Sequence, residues 1–450
     1  MKNILVLGAG QSTPFLISYL LKESESHDWF VTVCDMDFEL AQSRVNGNPN
    51  GTALKFDVND ANLRTTLIDK SDIVINMLAP YFQYIIAVDC VNLGKHCITA
   101  SYADIQIPNL ELEAQRKGIL ILNEMGLDPG IDHMSAMAMI NEVRANGGYV
   151  TSFISYGSGI PAPEVQSNPL NYCITWNPRN VVLAGQTGAQ YLEERNLKIV
   201  SHHQVFQRTW NVELDGVGTF EAYPNRDSLI YQEIFNLKRV NTMIRGTLRY
   251  PGWSETWLQI VRLGLTNEFA KMPFLNQMTY SKFLEMFLPL TISGTNIEPR
   301  VANFLGINPT GKIMSNLRWL GLFSNEKIPG DPQTPVDVMV DLVKRKMPLP
   351  AGERDMVILL HKIEAQYPEE NDRKELIESC LIEYGEANGF TAISKTVGLP
   401  AAIAAKLILT DELILTGCHI PTHPAIYTKV LAELESLGLK FDEKRFEVHS

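Results

Sequence analysis

The sequence predicts an α/β fold in which an N-terminal parallel sheet is followed by an α+β domain with a helical insertion. Three observations support this prediction. Short apolar runs alternate with helical stretches over residues 1–125, strands dominate from about residue 150, and residues 252–350 are mostly helical. The chain has 450 residues, which is enough for several domains of about 100 to 200 residues each.

The first part of the chain has the spacing of a parallel sheet. Residues 4–7 form a continuous apolar run, which is typical of a strand buried on both faces. Residues 14–23 indicate a helix, because a proline is well tolerated in a first helical turn. The alternation of strand and helix predicts βαβ units. Further strands are expected at residues 30–34, 53–56, 73–77, 96–99 and 119–122.

The rest of the chain combines strands with a block of helices. Strand patterns occur before and after this block, so the later strands could return to the same middle sheet. The expected strands are residues 149–156, 205–212, 218–223, 357–365 and 375–384. The expected helices are residues 255–265, 280–287, 313–320, 335–346, 390–409 and 425–437.

Composition excludes several classes of partner. The 39 basic and 51 acidic side chains give a net charge of −12, which argues against a nucleic-acid partner. The six cysteines are scattered and form no Cys-x-x-Cys pair, so we expect reduced thiols and no metal site. The N-terminus runs directly into a strand, and no apolar stretch reaches the roughly 20 residues that span a bilayer. We therefore expect a soluble, cytoplasmic protein with no membrane partner.

A glycine turn after the first strand predicts a Rossmann-like dinucleotide-binding domain. Gly8 would permit a tight turn, and Gly10 would let the backbone approach a pyrophosphate at the N-terminus of the next helix. Thr13 replaces the third glycine of the usual pattern. The alternative is a plain strand-to-helix turn. The predicted cofactor-binding residues of this segment are Gly8, Gly10, Gln11, Ser12 and Thr13.

The acid that ends the second strand favours NAD over NADP. Asp35 lies 25 residues after Gly10, where a carboxylate accepts hydrogen bonds from ribose hydroxyls and repels the extra phosphate of NADP. An exposed acid at a strand end is the alternative. Asp57 and Val58, after the third strand, are placed to meet the adenine ring, so we expect NAD as the cofactor, with NADP as a second possibility.

Two further segments hold candidates for chemistry. Asp128 precedes a proline and therefore lies outside a helix interior, which makes it a candidate for substrate contact. Tyr102 follows a strand at the edge where open α/β sheets bind ligands, although it could also be a packed aromatic. We expect Asp132 to cap a helix that starts at His133, and His133 to be structural.

Arginines in glycine- and proline-bound loops predict a small-molecule substrate with several carboxylates. Arg226 lies in a proline-bound turn, and Arg245 and Arg249 lie four residues apart on one extended stretch. The planar guanidinium is the preferred partner of a carboxylate, because it donates two hydrogen bonds at once. Surface salt bridges are the alternative for each arginine.

Long motifs along almost the whole chain resemble the saccharopine dehydrogenases of the L-glutamate-forming kind, also called saccharopine reductases. The segments that carry the resemblance are NEMGLDPGIDH at 123–133, GIPAPE at 159–164, NPL at 168–170, AYPNRDS at 222–228, RGTLRYPG at 245–252 and GERD at 352–355. One departure is Gly157, which stands where eukaryotic members often have a cysteine. Another is Asp35, because this branch is usually NADP-dependent.

The resemblance implies a three-part fold, a homodimer and a reaction. Residues 1–130 with 392–450 would form the Rossmann-like domain, 131–251 with 352–391 the substrate and dimerisation domain, and 252–351 the helical subdomain. The reaction would be the reversible oxidation of saccharopine to L-glutamate and 2-aminoadipate 6-semialdehyde. Asp128 and Tyr102 are the candidates for the general base. The implied substrate contacts are Ser101, Tyr102, Asp128, Arg226, Thr247 and Arg249, and Leu127 is assigned to the cofactor site.

Two alternatives remain at this point. A related imine reductase, such as a carboxynorspermidine dehydrogenase, would join a semialdehyde to a diamine. A diamine would need acidic residues in the pocket rather than arginines. A nucleotide-binding regulator without catalysis would lack the substrate arginines, which this chain has.

Overall fold

The computed structural model describes residues 1–165, 167–292 and 294–448. These residues form two compact units. Unit 1 is Met1–Val150 together with the chain from Val357 onward, and unit 2 is Thr151–Met356. The finer three-part boundaries inferred from the sequence stay a prediction.

The strands of the described residues are β1 (Lys2–Leu7), β2 (Trp29–Asp35), β3 (Gly51–Lys55), β4 (Ile73–Asn76), β5 (His96–Thr99), β6 (Leu120–Leu122), β7 (Tyr149–Pro161), β8 (Ala189–Glu193), β9 (Asn196–Val200), β10 (Trp210–Leu214), β11 (Gly218–Pro224), β12 (Thr242–Arg249), β13 (Asp355–Tyr367), β14 (Arg373–Tyr384), β15 (Gly417–His419) and β16 (Asp442–Glu447).

The α-helices of the same residues are α1 (Pro14–Glu23), α2 (Phe38–Val45), α3 (Ala61–Asp69), α4 (Gln83–Leu93), α5 (Glu111–Arg116), α6 (Ile131–Ala145), α7 (Pro178–Leu183), α8 (Ile230–Ile234), α9 (Trp253–Arg262), α10 (Tyr280–Glu285), α11 (Ile297–Leu305), α12 (Lys312–Leu320), α13 (Pro335–Lys346), α14 (Ala392–Leu409) and α15 (Pro424–Ser436).

Unit 1 contains the predicted parallel sheet, in the order β15-β6-β5-β4-β1-β2-β3. Its central strand β1 is apolar and buried, and Val6 lies level with Val33 of β2 and Ile75 of β4. All pairings along this sheet are parallel, so the carboxyl ends of the strands meet at one edge. The order from β3 to β6 is that of a dinucleotide-binding sheet, which confirms the Rossmann-like prediction.

The C-terminal part of the chain completes this unit. Strand β15 adds to β6, and helix α14 packs against α1. A Cβ atom on Gly398 of α14 would lie 2.8 Å from Leu16 Cβ and 2.9 Å from the Ser12 carbonyl oxygen, so the two helices meet at van der Waals distance only because of this glycine. Within the described residues, α14 is the one helix long and apolar enough to cross a membrane. However, 83% of that window is buried inside the protein, which is typical of a core helix.

Unit 2 is built on a mixed sheet with helices, as the α+β prediction with a helical insertion requires. Strands β10, β11 and β12 are antiparallel neighbours, and β12 pairs with β7 in parallel. The hairpin of β8 and β9 joins this sheet through β12. Helices α9 to α13 supply the predicted helical part.

Several local predictions were wrong in detail. Residues 205–212 do not form one strand, because His202–Gln207 is a 3₁₀ turn and β10 starts only at Trp210. Helix α11 and the hairpin of β8 and β9 were not predicted. Strand β16 was also missed, since all six of its residues are exposed and its sequence has no apolar alternation.

Candidate active site

The glycine turn after β1 has an open side that a phosphate could approach. Gly8 has φ +102°, and a Cβ there would lie 3.0 Å from the Met77 carbonyl oxygen at the end of β4. A side chain at Gly8 would therefore collide with the neighbouring strand. At Gly10 the opposite holds, because no atom lies within 4 Å of an added Cβ and the residue is exposed. Gln11 is also exposed and Ser12 is half-buried.

Thr13, the residue in place of the third glycine, stabilises the turn through a hydrogen bond of its buried side chain. Its side chain is buried, and its hydroxyl donates to the Gly10 carbonyl oxygen at 2.9 Å. A third glycine would allow close packing of this helix on its strand. A different close contact, between α1 and α14, is allowed by Gly398. Sequence reasoning missed Gly398, although a glycine inside an apolar helix was a usable signal.

Asp35 contacts the glycine turn directly. One carboxylate oxygen accepts from the Ala9 N–H at 2.7 Å, and the other accepts from the Asp37 N–H at 2.9 Å. The Arg44 Nε donates to the Ala9 carbonyl oxygen at 3.2 Å, so this cation also lies beside the turn. Met36, the next residue after Asp35, is exposed and brings no charge.

The other residues assigned to the cofactor lie apart from these contacts. Asp57 is exposed and accepts from the Asn59 N–H at 2.9 Å. Val58 packs in the core of unit 1, and its carbonyl oxygen accepts from Arg64 at 2.6 Å. Leu127 is buried. These three assignments stay predictions.

Tyr102 and Asp128 are brought together by the fold. The Tyr102 hydroxyl donates to the Asp128 carboxylate at 2.7 Å, although the two residues are 26 positions apart. Tyr102 lies in the loop after β5, and Asp128 lies in the turn before α6. Both side chains are half-buried, and the neighbouring Ser101 is half-buried too. A phenol bonded to a carboxylate is an arrangement that can accept and pass on a proton.

Glu124, His133 and Asp132 form a buried ionic cluster next to the segments that carry this pair. The His133 Nε2 is 2.8 Å from Glu124 Oε2, and the His133 Nδ1 is 3.1 Å from Asp132 Oδ2. Burial alone lowers the pKa of His133, but the carboxylates of Asp132 and Glu124 outweigh burial and raise that pKa to about 9. His133 is therefore a buried imidazolium at neutral pH.

The predicted cap by Asp132 is wrong. Helix α6 begins at Ile131 with Gly130 as its N-cap, so Asp132 lies within the first turn. Its Oδ1 accepts from the Gly130 N–H at 2.7 Å, which points the side chain back toward the turn of Asp128. His133 is fully buried, in agreement with the structural role expected for it. Glu124 was not singled out from the sequence, and its φ of +62° is a backbone feature that sequence reasoning could not see.

In unit 2, Arg249 at the end of β12 is a buried cation among aromatic rings. Its guanidinium carbon lies 4.9 Å from the ring centroid of Tyr172 and 5.8 Å from that of Trp253. One Nη donates to the Leu248 carbonyl oxygen at 2.8 Å, while Nε is buried and has no hydrogen-bond partner among the described residues. A buried, incompletely satisfied guanidinium favours the arrival of a carboxylate.

The remaining substrate candidates of unit 2 are near this strand. Thr247 lies two residues before Arg249, so the two side chains project from the same face of β12. Arg226 is exposed in the turn after β11 and has φ +53°, a left-handed conformation that is uncommon for arginine. Arg245 is buried, with its guanidinium carbon 4.3 Å from the ring centroid of Tyr231. The substrate assignments of these residues stay predictions.

The thiols and metal ligands offer no competing centre among the described residues. All six cysteines are free, and no group of three or more His, Cys, Asp or Glu side chains within the described ranges could hold a metal ion. Burial raises the pKa of the Cys34 thiol to about 12, so that thiol stays protonated at neutral pH.

Comparison with known proteins agrees with this description. Residues 4–122 match the saccharopine dehydrogenase NADP binding domain, and residues 126–439 match the saccharopine dehydrogenase C-terminal domain. A saccharopine dehydrogenase [NADP(+), L-glutamate-forming] of Schizosaccharomyces pombe is 31% identical, with 99% of each chain covered. The mitochondrial alpha-aminoadipic semialdehyde synthase of Bos taurus is also 31% identical over 98% of this chain, which spans 47% of the length of that protein.

A solved structure matches over the full length as well. The apo saccharopine dehydrogenase (L-Glu forming) of Saccharomyces cerevisiae superposes with a TM-score of 0.86 at 30% identity, covering 99% of this chain and 100% of that one. The fold class and the family resemblance predicted from the sequence are confirmed. The chain belongs to the saccharopine dehydrogenase family.

Proposed function

We propose that this chain catalyses the reversible oxidation of saccharopine to L-glutamate and 2-aminoadipate 6-semialdehyde. The names of its full-length relatives support this reaction. The observation on the molecule itself that carries the proposal is Arg249, a buried guanidinium whose Nε has no partner among the described residues. Such a group suits a substrate carboxylate, and saccharopine has three.

The chemistry starts at the carbon beside the secondary amine of saccharopine. When bound, a nicotinamide cofactor supplies the acceptor for the hydride that leaves this carbon. The resulting imine takes up water, and the carbinolamine then splits into an amine and an aldehyde. The Tyr102–Asp128 pair takes a proton from the amine and releases it to solvent. It then takes a proton from the attacking water and returns it to the nitrogen as the carbon–nitrogen bond breaks, and the aldehyde forms as the carbinolamine hydroxyl loses its proton. Arg226, Thr247 and Arg249 hold the carboxylates so that the reacting atoms stay aligned.

The glycine turn suits a dinucleotide, and its neighbour Asp35 favours NAD. The carboxylate of Asp35 is anchored by the Ala9 and Asp37 N–H groups at the end of β2. The next four residues, 36–39, add two carboxylates and no cation, so a ribose phosphate would meet negative charge there. The Schizosaccharomyces pombe relative has NADP(+) in its name, and Arg44 is the nearby cation that could serve that phosphate.

The cofactor preference is tested by kcat/KM with each dinucleotide. We expect NAD to be favoured by at least about tenfold, which corresponds to about 1.4 kcal/mol. Replacement of Asp35 by serine should narrow the ratio, because it removes the charge and keeps a hydroxyl. Replacement of Asp69 by serine, at an exposed acid that ends α3, is the matched control and should leave the ratio unchanged. A wild-type preference for NADP would refute this assignment.

The reaction is tested by following reduced nicotinamide with saccharopine as substrate. Substitution of Asp128 by alanine should lower kcat by about 10² to 10⁴, the usual range for a lost general base. Tyr102→Phe should lower kcat as well. Turnover of a carboxynorspermidine-type substrate with none of saccharopine would favour the related imine reductase instead. No turnover of either, with cofactor still bound, would favour a regulator.

We propose further that the protein works as a homodimer in the cytoplasm, on this small substrate and without a nucleic-acid or membrane partner. The net charge of −12 supports the exclusion of nucleic acid. Sedimentation at micromolar concentration tests the dimer, and a monomer at that concentration would contradict it.

A further inference from the structure

We propose that Glu124, His133 and Asp132 act as positioning residues that hold Tyr102 and Asp128 in register for proton transfer. This inference rests on the proposed role of the Tyr102–Asp128 pair. None of the three needs to touch substrate, since two of the side chains are buried to within a few per cent and Glu124 is buried too. They act through the backbone of the two segments that carry the pair.

Glu124 holds the segment of Tyr102. Its Oε1 accepts from the N–H of Ala103, the residue directly after Tyr102, at 3.1 Å. Its own N–H donates to the Ser101 carbonyl oxygen, directly before Tyr102, also at 3.1 Å. Glu124 therefore bonds the residues directly before and after Tyr102, so the Tyr102 backbone cannot shift without breaking one of these hydrogen bonds.

Asp132 holds the segment of Asp128 in the same way. Its Oδ1 accepts from the N–H of Gly130, two residues after Asp128, at 2.7 Å. This bond draws the turn of Asp128 against the first turn of α6. The direct bond from the Tyr102 hydroxyl to Asp128 then depends on both carboxylates keeping their places.

His133 joins the two carboxylates. Its Nε2 is 2.8 Å from the remaining oxygen of Glu124, and its Nδ1 is 3.1 Å from the remaining oxygen of Asp132. Both nitrogens must donate, because an ionised carboxylate only accepts. The imidazolium, the two acids, the two backbone segments and the Tyr102–Asp128 bond thus form a closed ring of contacts.

Two amide variants should differ in how many of the His133 hydrogen bonds they keep. In Glu124→Gln, the amide oxygen can keep the Ala103 N–H and the amide N–H can donate to a neutral His133, whose other nitrogen still donates to Asp132. In the double variant Glu124→Gln/Asp132→Asn, both nitrogens of His133 face amide donors. A neutral imidazole can accept only one of them, so one contact is lost.

The experiment measures kcat, the KM for saccharopine and the Kd for reduced cofactor in the full-length protein. We expect Glu124→Ala to lower kcat about 30- to 100-fold, because a misplacement of about 1 Å can cost that much. The KM and the Kd should stay within about threefold of wild type. Glu124→Gln should recover most of the lost kcat, and the double variant should lose it again. Glu142→Gln, a change to an exposed carboxylate of the same helix, is the matched control and should match wild type.

The outcomes separate this inference from the proposed function. A wild-type protein without saccharopine-dependent turnover would remove the function itself. If Asp128→Ala is inactive while Glu124→Ala keeps the wild-type kcat, only the positioning role of Glu124 is overturned. If Glu124→Ala does not fold, the two amide variants test the positioning role. Equal kcat values in Glu124→Gln and the double variant would overturn the proposal. A loss of cofactor affinity in parallel with kcat would also overturn it, since it would indicate general damage to unit 1.

Discussion

Raising the pH should selectively weaken the part of unit 1 around helix α6, because His133 is a buried imidazolium. Its pKa is raised from 6.5 to about 9 by Asp132 and Glu124, against the opposing effect of burial. The folded state therefore binds this proton more tightly than the unfolded state does. Its stabilising effect is fully present below about pH 6.5 and is lost as the pH rises through about 9.

The magnitude follows from the size of the shift. A difference of about 2.5 pKa units corresponds to about 3 kcal/mol, at 1.36 kcal/mol per unit. The His133 side chain is 1% exposed, so solvent screening does not reduce this figure appreciably. A free energy of this size changes the population of an opened state by about two orders of magnitude.

The assay is amide hydrogen exchange of α6 in wild type and in His133→Gln, from pH 6.5 to 9.5. Comparison of the two proteins at each pH cancels the intrinsic pH dependence of exchange. We expect the protection of wild type relative to the variant to fall by about two orders of magnitude across this range. A ratio that stays flat would refute the charged state assigned to His133.

Three further substitutions test other parts of the structure. Arg249→Met should raise the KM for saccharopine by about 100-fold, equivalent to about 3 kcal/mol. Thermal stability should stay equal or rise, because the substitution removes an incompletely satisfied buried charge. A normal KM would exclude Arg249 from substrate binding. Arg226→Ala should mainly raise the same KM with little change in stability, since the side chain is exposed, and an unchanged KM would contradict its role. Gly398→Ala should lower stability by about 1–3 kcal/mol and weaken cofactor binding, because the new Cβ would press on Leu16 and the Ser12 carbonyl, and calorimetry with a cofactor titration measures both.

Features that depend on neighbouring residues were predictable from the sequence. The apolar run of β1, the glycine turn and the helix from Pro14 are adjacent in the chain, so their order alone indicates a nucleotide fold. Asp35 was predictable for the same reason, since its position at the end of β2 follows from counting residues. The long motifs around Arg226 and Arg249 likewise carried the family resemblance.

Features that depend on contacts between distant residues were decided only by the tertiary structure. Gly398 lets α14 pack closely against α1, and the glycine within an apolar helix signals a close contact without showing which distant element is the partner. Asp132 is a residue type that commonly caps helices, yet Gly130 is the N-cap of α6. The Asp132 carboxylate instead contacts the Gly130 N–H and His133. The choice between two such hydrogen bonds depends on what is buried beside them.

The sequence by itself determined the parallel sheet, the phosphate turn and the set of candidate acids and arginines, because these follow from period, spacing and residue type. Only the tertiary structure decided that Tyr102 bonds Asp128, that Glu124 and His133 lie behind them, and that Arg249 is buried among aromatic rings. The physical reason is that hydrogen-bond partners and burial are properties of packed surfaces, and packing joins residues whose separation along the chain carries no information about their contact.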